Sequence, residues 1–201
     1  MKILVLYYSM TGNTYRMAKL VSEGGKEAGA EVAIKTVPEL VPADTIEADA
    51  SLRRGREEQA GVPVAQPDEL GDYDGIIVGT PTRFGNMCAQ MRNFWDQTGG
   101  LWMKGGLIGK PVGAFCSTAS LHGGQETTLL ATMLTFLHHG MVIVGVPYNV
   151  QELLTTNAGG TPYGPSHTSG HPPTNPITDA EAAICRALGR RVAEVAAKLS
   201  A

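Results

Sequence analysis

No apolar run in this 201-residue chain approaches the roughly 18–20 residues that a membrane-spanning helix requires. The longest runs, at the N-terminus and around Val142, are strand-sized, so no membrane insertion is expected. A surplus of one charge is also missing. Sixteen basic against nineteen acidic residues give a formal charge of -3, which leaves no electrostatic footprint for nucleic acid and no attraction to an anionic membrane surface. Cysteine is scarce. Cys88, Cys116 and Cys185 are odd in number and widely spaced, which excludes a disulfide framework and fits small core residues in a reducing compartment. Lys2 followed by the short apolar stretch Ile3 to Tyr8 looks only superficially like a signal peptide. A polar Ser9-Met10-Thr11-Gly12-Asn13-Thr14 turn stands where a small-residue cleavage site would be, and a cytoplasmic protein is expected. There is no internal repeat. With 43% hydrophobic and 17% charged residues, disorder, fibrous structure and coiled coil are excluded, and the length predicts a single domain over 1–201.

What is present is an alternation of short apolar runs with longer helical patterns. Lys2 to Tyr8 reads as a strand buried on both faces, and Asn13 to Gly29 as a helix with apolar positions at Tyr15, Met17, Ala18, Leu20 and Val21. Further strands are expected at Glu31 to Val37, Gly75 to Gly79, Val112 to Cys116 and Met141 to Val146. Helices are expected at Asn86 to Thr98, Gln125 to His139 and Asp179 to Leu199, the last opened by the capping box Thr178-Asp179-Ala180-Glu181. Five βα units predict an α/β fold: a doubly wound, five-stranded parallel sheet with right-handed crossovers and helices on both faces. Two stretches, Pro38 to Pro67 and the Gly/Pro/Thr/His-rich Thr155 to Pro176, break the pattern and are expected as loop insertions.

In such sheets ligands bind at the carboxyl ends of strands, which directs attention to three loops. The first, Ser9 to Thr14, follows the first strand and opens the first helix. It offers hydroxyls, amides and a glycine to a phosphate group. It carries no lysine or arginine, so it is not a Walker loop, and it has no Gly-x-Gly-x-x-Gly; a monophosphate ester suits it better than a triphosphate or dinucleotide. The second, Gly79-Thr80-Pro81-Thr82-Arg83-Phe84-Gly85-Asn86, combines a rigid proline with an aromatic, and a flat heteroaromatic ring would lie against it. The third, Ser117-Thr118-Ala119-Ser120-Leu121-His122-Gly123-Gly124-Gln125-Glu126, is again rich in hydroxyls and glycine, which permits close backbone approach to a ligand.

These loops resemble the flavodoxin-like flavin-binding set. At finer grain the chain resembles the WrbA family of NAD(P)H:quinone oxidoreductases, through the opening Leu-Val-Leu-Tyr-Tyr-Ser-Met and then Gly79 to Met87, Asp96 to Trp102, Gly123-Gly-Gln-Glu126, His138 to Ile143 and Gly160 to Gly164. The resemblance implies a flavodoxin-like fold and FMN as cofactor, with NADH or NADPH and a quinone as substrates. By the same resemblance Ser9, Met10, Thr11, Gly12, Asn13 and Thr14 bind the FMN phosphate. Pro81, Thr82, Arg83, Phe84 and Gly85 hold the isoalloxazine, and Ser117, Thr118, Ala119, Ser120, Leu121, His122 and Gly123 contact ring and ribityl atoms. His138 completes the flavin site from a neighbouring subunit of a homotetramer, and Trp102 forms the aromatic wall for quinone or nicotinamide. At Thr11 this chain departs from members that carry a tyrosine associated with nicotinamide binding, and its third loop is one residue longer than in some relatives.

The chemistry implied is a ping-pong hydride transfer: the nicotinamide reduces the flavin and leaves, and a quinone then takes two electrons from the same face. No side-chain nucleophile is required, and His122 is at most a proton donor or hydrogen-bond partner to the reduced quinone. Three rivals stand beside this reading. One is a flavodoxin-type electron carrier without a substrate pocket. Another takes His167 and His171 as zinc ligands from their His-x-x-x-His spacing, although no cysteine pair accompanies them and no metal is expected. The third is a flavin-free scaffold that only self-associates.

Overall fold

A computed structural model describes residues 1–200. In chain order the elements are β1 (Lys2–Tyr7), α1 (Asn13–Glu27), β2 (Glu31–Thr36), α2 (Ala43–Ala48), α3 (Ala50–Glu58), β3 (Gly75–Arg83), β4 (Asn86–Met87), α4 (Ala89–Asp96), α5 (Gly99–Met103), β5 (Pro111–Thr118), α6 (Gln125–His138), β6 (Val142–Ile143), α7 (Glu152–Thr155), β7 (Ser166–Thr168) and α8 (Asp179–Leu199). A 3-10 turn, Pro67–Asp72, leads into β3.

The sheet order is β2-β1-β3-β5-β6, all parallel. The chain leaves β1 toward β2 on one side and later returns to β3 on the other, so the order reverses between β1 and β3 and opens a crevice at their carboxyl ends. Alternation within the central strands sends side chains to two separate cores. Leu4, Leu6, Ile76 and Val78 meet Met91, Phe94, Trp95, Leu129 and Phe136 on one face. Ile3, Val5, Tyr7 and Ile77 meet Met17, Val21, Leu188 and Val192 on the other. The doubly wound, five-stranded parallel sheet with helices on both faces is therefore as expected, and the three cysteines are free and buried. α1 and α8 cross at backbone distance: a Cβ on Gly24 would stand 1.9 Å from the Arg186 carbonyl oxygen, and one on Gly189 would stand 1.9 Å from that of Val21. α8 opens with the capping box at Thr178 and Glu181.

The structure corrects several details of the sequence reading. Pro38 to Pro67 is no structureless loop, because it carries α2 and α3. The segment from Gly79 to Asn86 is mostly strand: β3 continues to Arg83 and folds back through Phe84 and Gly85 into β4, with Thr82 opposite Met87. Both turn residues have left-handed backbones, Phe84 at φ 53° and Gly85 at φ 78°. The expected last strand, Met141 to Val146, shrinks to β6 at Val142–Ile143, and a further short strand stands in the segment expected as a loop. β6 pairs with Pro111 and Val112 of β5, and β7, from within the Gly/Pro-rich segment, pairs with Cys116, Ser117 and Thr118 of the same strand. Between them, Cys116 donates its amide to Pro165, and Gly164 lies so close to Ala114 that only a glycine fits.

Candidate flavin-binding site

The carboxyl ends of β1, β3 and β5 surround a cavity of about 480 Å³. Its floor is the first loop. Gly12 caps α1 with φ 90°, a conformation that costs other residues energy, and it brings no side-chain cap to the helix. No acidic residue sits in the first turn, so the amides there are left for another acceptor. The Ser9 hydroxyl is buried with no hydrogen-bond partner in the protein, while Met10, Thr11, Asn13 and Thr14 line the same cavity. An orphaned donor beside uncapped amides fits a phosphate, whose oxygens accept several hydrogen bonds at once. Asn13 donates through Nδ2 to Thr11 Oγ1 at 3.3 Å and to the Pro173 carbonyl at 3.4 Å, which ties the floor to the far wall.

Pro81, Thr82 and Arg83 form one wall. Thr82 Oγ1 is 2.7 Å from Thr128 Oγ1, which anchors the strand end to α6. Arg83 donates to the Thr82 carbonyl at 2.8 Å and reaches Met10 Sδ at 3.5 Å across the mouth. Phe84 is wholly exposed despite its strained backbone, an arrangement that nothing in the packing of the single chain rewards. Ser117, Thr118 and Ala119 form the opposite wall. Thr118 is held by Gln125, whose buried amide donates to Thr118 Oγ1 at 3.1 Å and to Thr168 Oγ1 at 3.0 Å, while its Oε1 accepts from Ser166 Oγ at 2.6 Å.

Not every expected residue lines this cavity. Gly12, Phe84, Gly85, Ser120, Leu121, His122 and Gly123 lie beyond its lining, and Leu121 borders a separate cavity beside Asn157 and Glu181. His138 and Trp102 lie together elsewhere: Trp102 Nε1 donates to the His138 carbonyl at 2.8 Å. They border a cleft of about 420 Å³ with Arg92, Trp95, Leu134 and His139, which shares no residue with the first cavity. His167 is fully buried against Glu181, whereas His171 is exposed and lines the cavity, so the two histidines are not a ligand pair.

Two groups of lining residues were missed from sequence. Asp49, Ser51 and Leu52 come from the start of α3, and Ser169, Gly170, His171 and Pro173 from the segment after β7. The first group carries a readable signal, since Asp49 is a helix N-cap that accepts from the amides of Ser51 at 2.7 Å and Leu52 at 3.1 Å. The second is fixed by Ser169, which donates to the Thr118 carbonyl through its amide at 2.8 Å and its hydroxyl at 3.0 Å. No local pattern announces a contact of that kind.

Among solved structures the chain is similar to a flavodoxin, WrbA-like protein from Agrobacterium tumefaciens, with a TM-score of 0.68 at 24% identity over 98% of each chain. Among curated proteins it is 52% identical over 202 residues to an NAD(P)H dehydrogenase (quinone) of Gluconacetobacter diazotrophicus, covering 100% of this chain and 99% of the relative. A second protein of that description, from Geotalea uraniireducens, is 49% identical over 203 residues and the whole of both chains. The family described as NADPH-dependent FMN reductase matches residues 1–152. With that match over more than half its length, and end-to-end similarity to proteins named NAD(P)H dehydrogenase (quinone), the chain belongs to the NADPH-dependent FMN reductase family.

Proposed function

We propose that the protein is an FMN-dependent NAD(P)H:quinone oxidoreductase that reduces quinones to hydroquinones by a ping-pong, two-electron hydride transfer. One observation carries this reading: the uncapped start of α1, the orphaned Ser9 hydroxyl and the ends of β3 and β5 converge on one cavity. The relatives' name favours an enzyme over a flavodoxin-type carrier.

In this reading Ser9 to Thr14 hold the phosphate through hydroxyls and helix amides. Pro81 to Gly85 take the flat ring, with Phe84 supplying an exposed aromatic face, and Ser117 to Gly123 contact the ribityl chain and ring edge. FMN, when bound, accepts a hydride from NADH or NADPH and passes two electrons to a quinone. The chain's own part is to bind, to orient and to exclude water. Arg83 bridges the wall and the floor at the mouth, and Gln125 holds Thr118 in place from behind. In this reading His122, exposed on the third loop, is at most a proton donor or hydrogen-bond partner to the reduced quinone.

His138 and Trp102 reach a flavin in this reading only from another copy, as a homotetramer with sites at its interfaces provides. The exposed Leu130, Leu134 and Leu137 repeat along one stripe of α6, and Leu134 borders the Trp102 cleft, which supports self-association there. The chain is read as one flavin-binding unit. Three free buried thiols support a reducing, cytoplasmic setting, and no helix among the described residues is long and apolar enough to cross a membrane.

The test is an absorbance scan of the purified protein mixed with FMN, followed by NADH and NADPH oxidation with benzoquinone. Flavin uptake with steady turnover and parallel double-reciprocal plots is the expected result. Flavin uptake without turnover supports the carrier, and absence of uptake ends the flavin reading.

A further inference from the structure

α3 carries no apolar face: Gly55 is its one buried residue, so the helix does not exist to fill a core. While Ser51 and Leu52 at its start line the cavity, the contacts of its second half converge on the first loop from behind. At Gly55 the helix backbone touches the loop backbone, and an added Cβ would stand 2.5 Å from the Met10 carbonyl oxygen and 2.8 Å from Thr11 Cα. Gln59, at the helix end and 7% exposed, donates through Nε2 to the Ser9 carbonyl at 3.1 Å. Glu58 accepts two hydrogen bonds from Arg16, at 3.0 and 2.6 Å, and Arg16 donates a third, at 3.0 Å, to Asn13 Oδ1. The helix is itself fastened to the sheet, since Arg56 pairs with Glu39 and donates to the buried Tyr8 hydroxyl, which also takes a hydrogen bond from Gln90 at 3.1 Å.

Resting on the proposed reading of the cavity as a flavin site, we infer that α3 is a positioning element for the phosphate loop. Gln59 and the Arg16–Glu58 pair hold Ser9 and Asn13 in the geometry that selects FMN over riboflavin. Neither Gln59 nor Glu58 lines the cavity; both act through residues that do. The loop carries no basic residue of its own, so its grip on a phosphate depends on the alignment of neutral donors, which a displacement of a few tenths of an ångström weakens. A frame built from a second segment of chain supplies that alignment before the ligand arrives.

The experiment measures dissociation constants of FMN and of riboflavin for the full-length apoprotein by flavin fluorescence quenching, in the wild type and in Gln59→Met, Glu58→Gln and Gly55→Ala. Removing the Gln59 donor is expected to weaken FMN binding roughly tenfold, and weakening the partly exposed ion pair about threefold. Riboflavin, which lacks the phosphate, is expected to change by less than about twofold. The ratio of the two constants is the readout, because general loosening of the fold weakens both ligands alike. Gly55→Ala pushes on the same loop without removing a polar group and is expected to raise the FMN-to-riboflavin ratio of the constants too. Should Gln59→Met fail to fold, as judged by circular dichroism, Glu58→Gln carries the comparison. A wild type that binds FMN, beside folded variants with an unchanged ratio, overturns the inference. A wild type that binds neither flavin overturns the flavin reading and this inference together.

Discussion

His167 Nδ1 lies 3.0 Å from Glu181 Oε2, and both side chains are sealed from solvent. The carboxylate also accepts from the amides of Thr178 at 2.8 Å, Gly159 at 3.0 Å and Thr168 at 3.2 Å, so one side chain joins the start of α8 to the segment around β7 that leads into the far wall of the cavity at the strand ends.

That arrangement predicts acid sensitivity. Burial alone raises the Glu181 pKa, but the hydrogen bonds from His167, Thr178 and Thr168 outweigh it and hold the group below its ordinary 4.5. An acid with a depressed folded pKa contributes stability above its unfolded value, and that stability is lost as pH falls through the folded value. His139 acts in the same direction from a higher pH. Burial, and then the neighbouring His138, lower its pKa from 6.5, so acidification below that value favours the unfolded state, which binds the proton more readily. The thermal midpoint of the apoprotein is expected to fall from pH 7 toward pH 5 through His139 and more steeply below pH 4.5 through Glu181. Glu181→Gln is expected to lower the neutral-pH midpoint by on the order of 5 °C and to flatten the steeper step. A variant that keeps the full step would show that the carboxylate is not its source.

Phe84 predicts a trade between stability and binding. Its φ of 53° places a bulky side chain in the left-handed region, and its ring buries nothing within the chain. Phe84→Gly is expected to stabilise the apoprotein by about 1 kcal/mol, a rise of roughly 2–4 °C in the midpoint, while weakening FMN binding. Phe84→Ala, which keeps the strain and removes the ring, separates the two effects. A Gly variant that loses stability would show that the ring packs against something in the assembled protein.

The α1–α8 crossing gives a third expectation. Gly189→Ala improves helix propensity by about 1 kcal/mol but drives a methyl into the Val21 carbonyl, where backbone rather than a flexible side chain must yield. The clash dominates, and the midpoint is expected to drop by about 5 °C or more. Gly99→Ala, at a site with open space around the added Cβ, is expected to leave it within about 1–2 °C. Scanning calorimetry of both variants checks the pair, and equal midpoints would contradict the close crossing.

Much of this was legible in the sequence, and the exceptions share a cause. The uninterrupted apolar runs of β1, β3 and β5, and the helical spacing of α1, α6 and α8, read correctly because each buries a periodic set of side chains. Of the hydroxyl-rich turns after β1 and β5, Ser9, Met10, Thr11, Asn13, Thr14, Ser117, Thr118 and Ala119 line the cavity, whereas Ser120 to Gly123 do not. β4 and β7, with two and three residues, are too short to show any alternation. α3 gave no amphipathic stripe, since what it buries is one glycine and a few polar contacts to a loop up to 50 residues earlier. His138 and Trp102, expected at the flavin and its substrate, border a separate cleft within the single chain and do not reach the cavity at the strand ends.

The outer margin of β5 is closed by pieces rather than by one strand: Val142 and Ile143 at one end, Gly164 and Pro165 in the middle, Ser166 to Thr168 at the other. Open margins recruit strands from other molecules, and long flat ones do so most readily. A two-residue strand beside a three-residue strand offers an incoming chain too short a ladder to register on. Protection against fibrous association is therefore written into the same break that delivers the cavity's far wall.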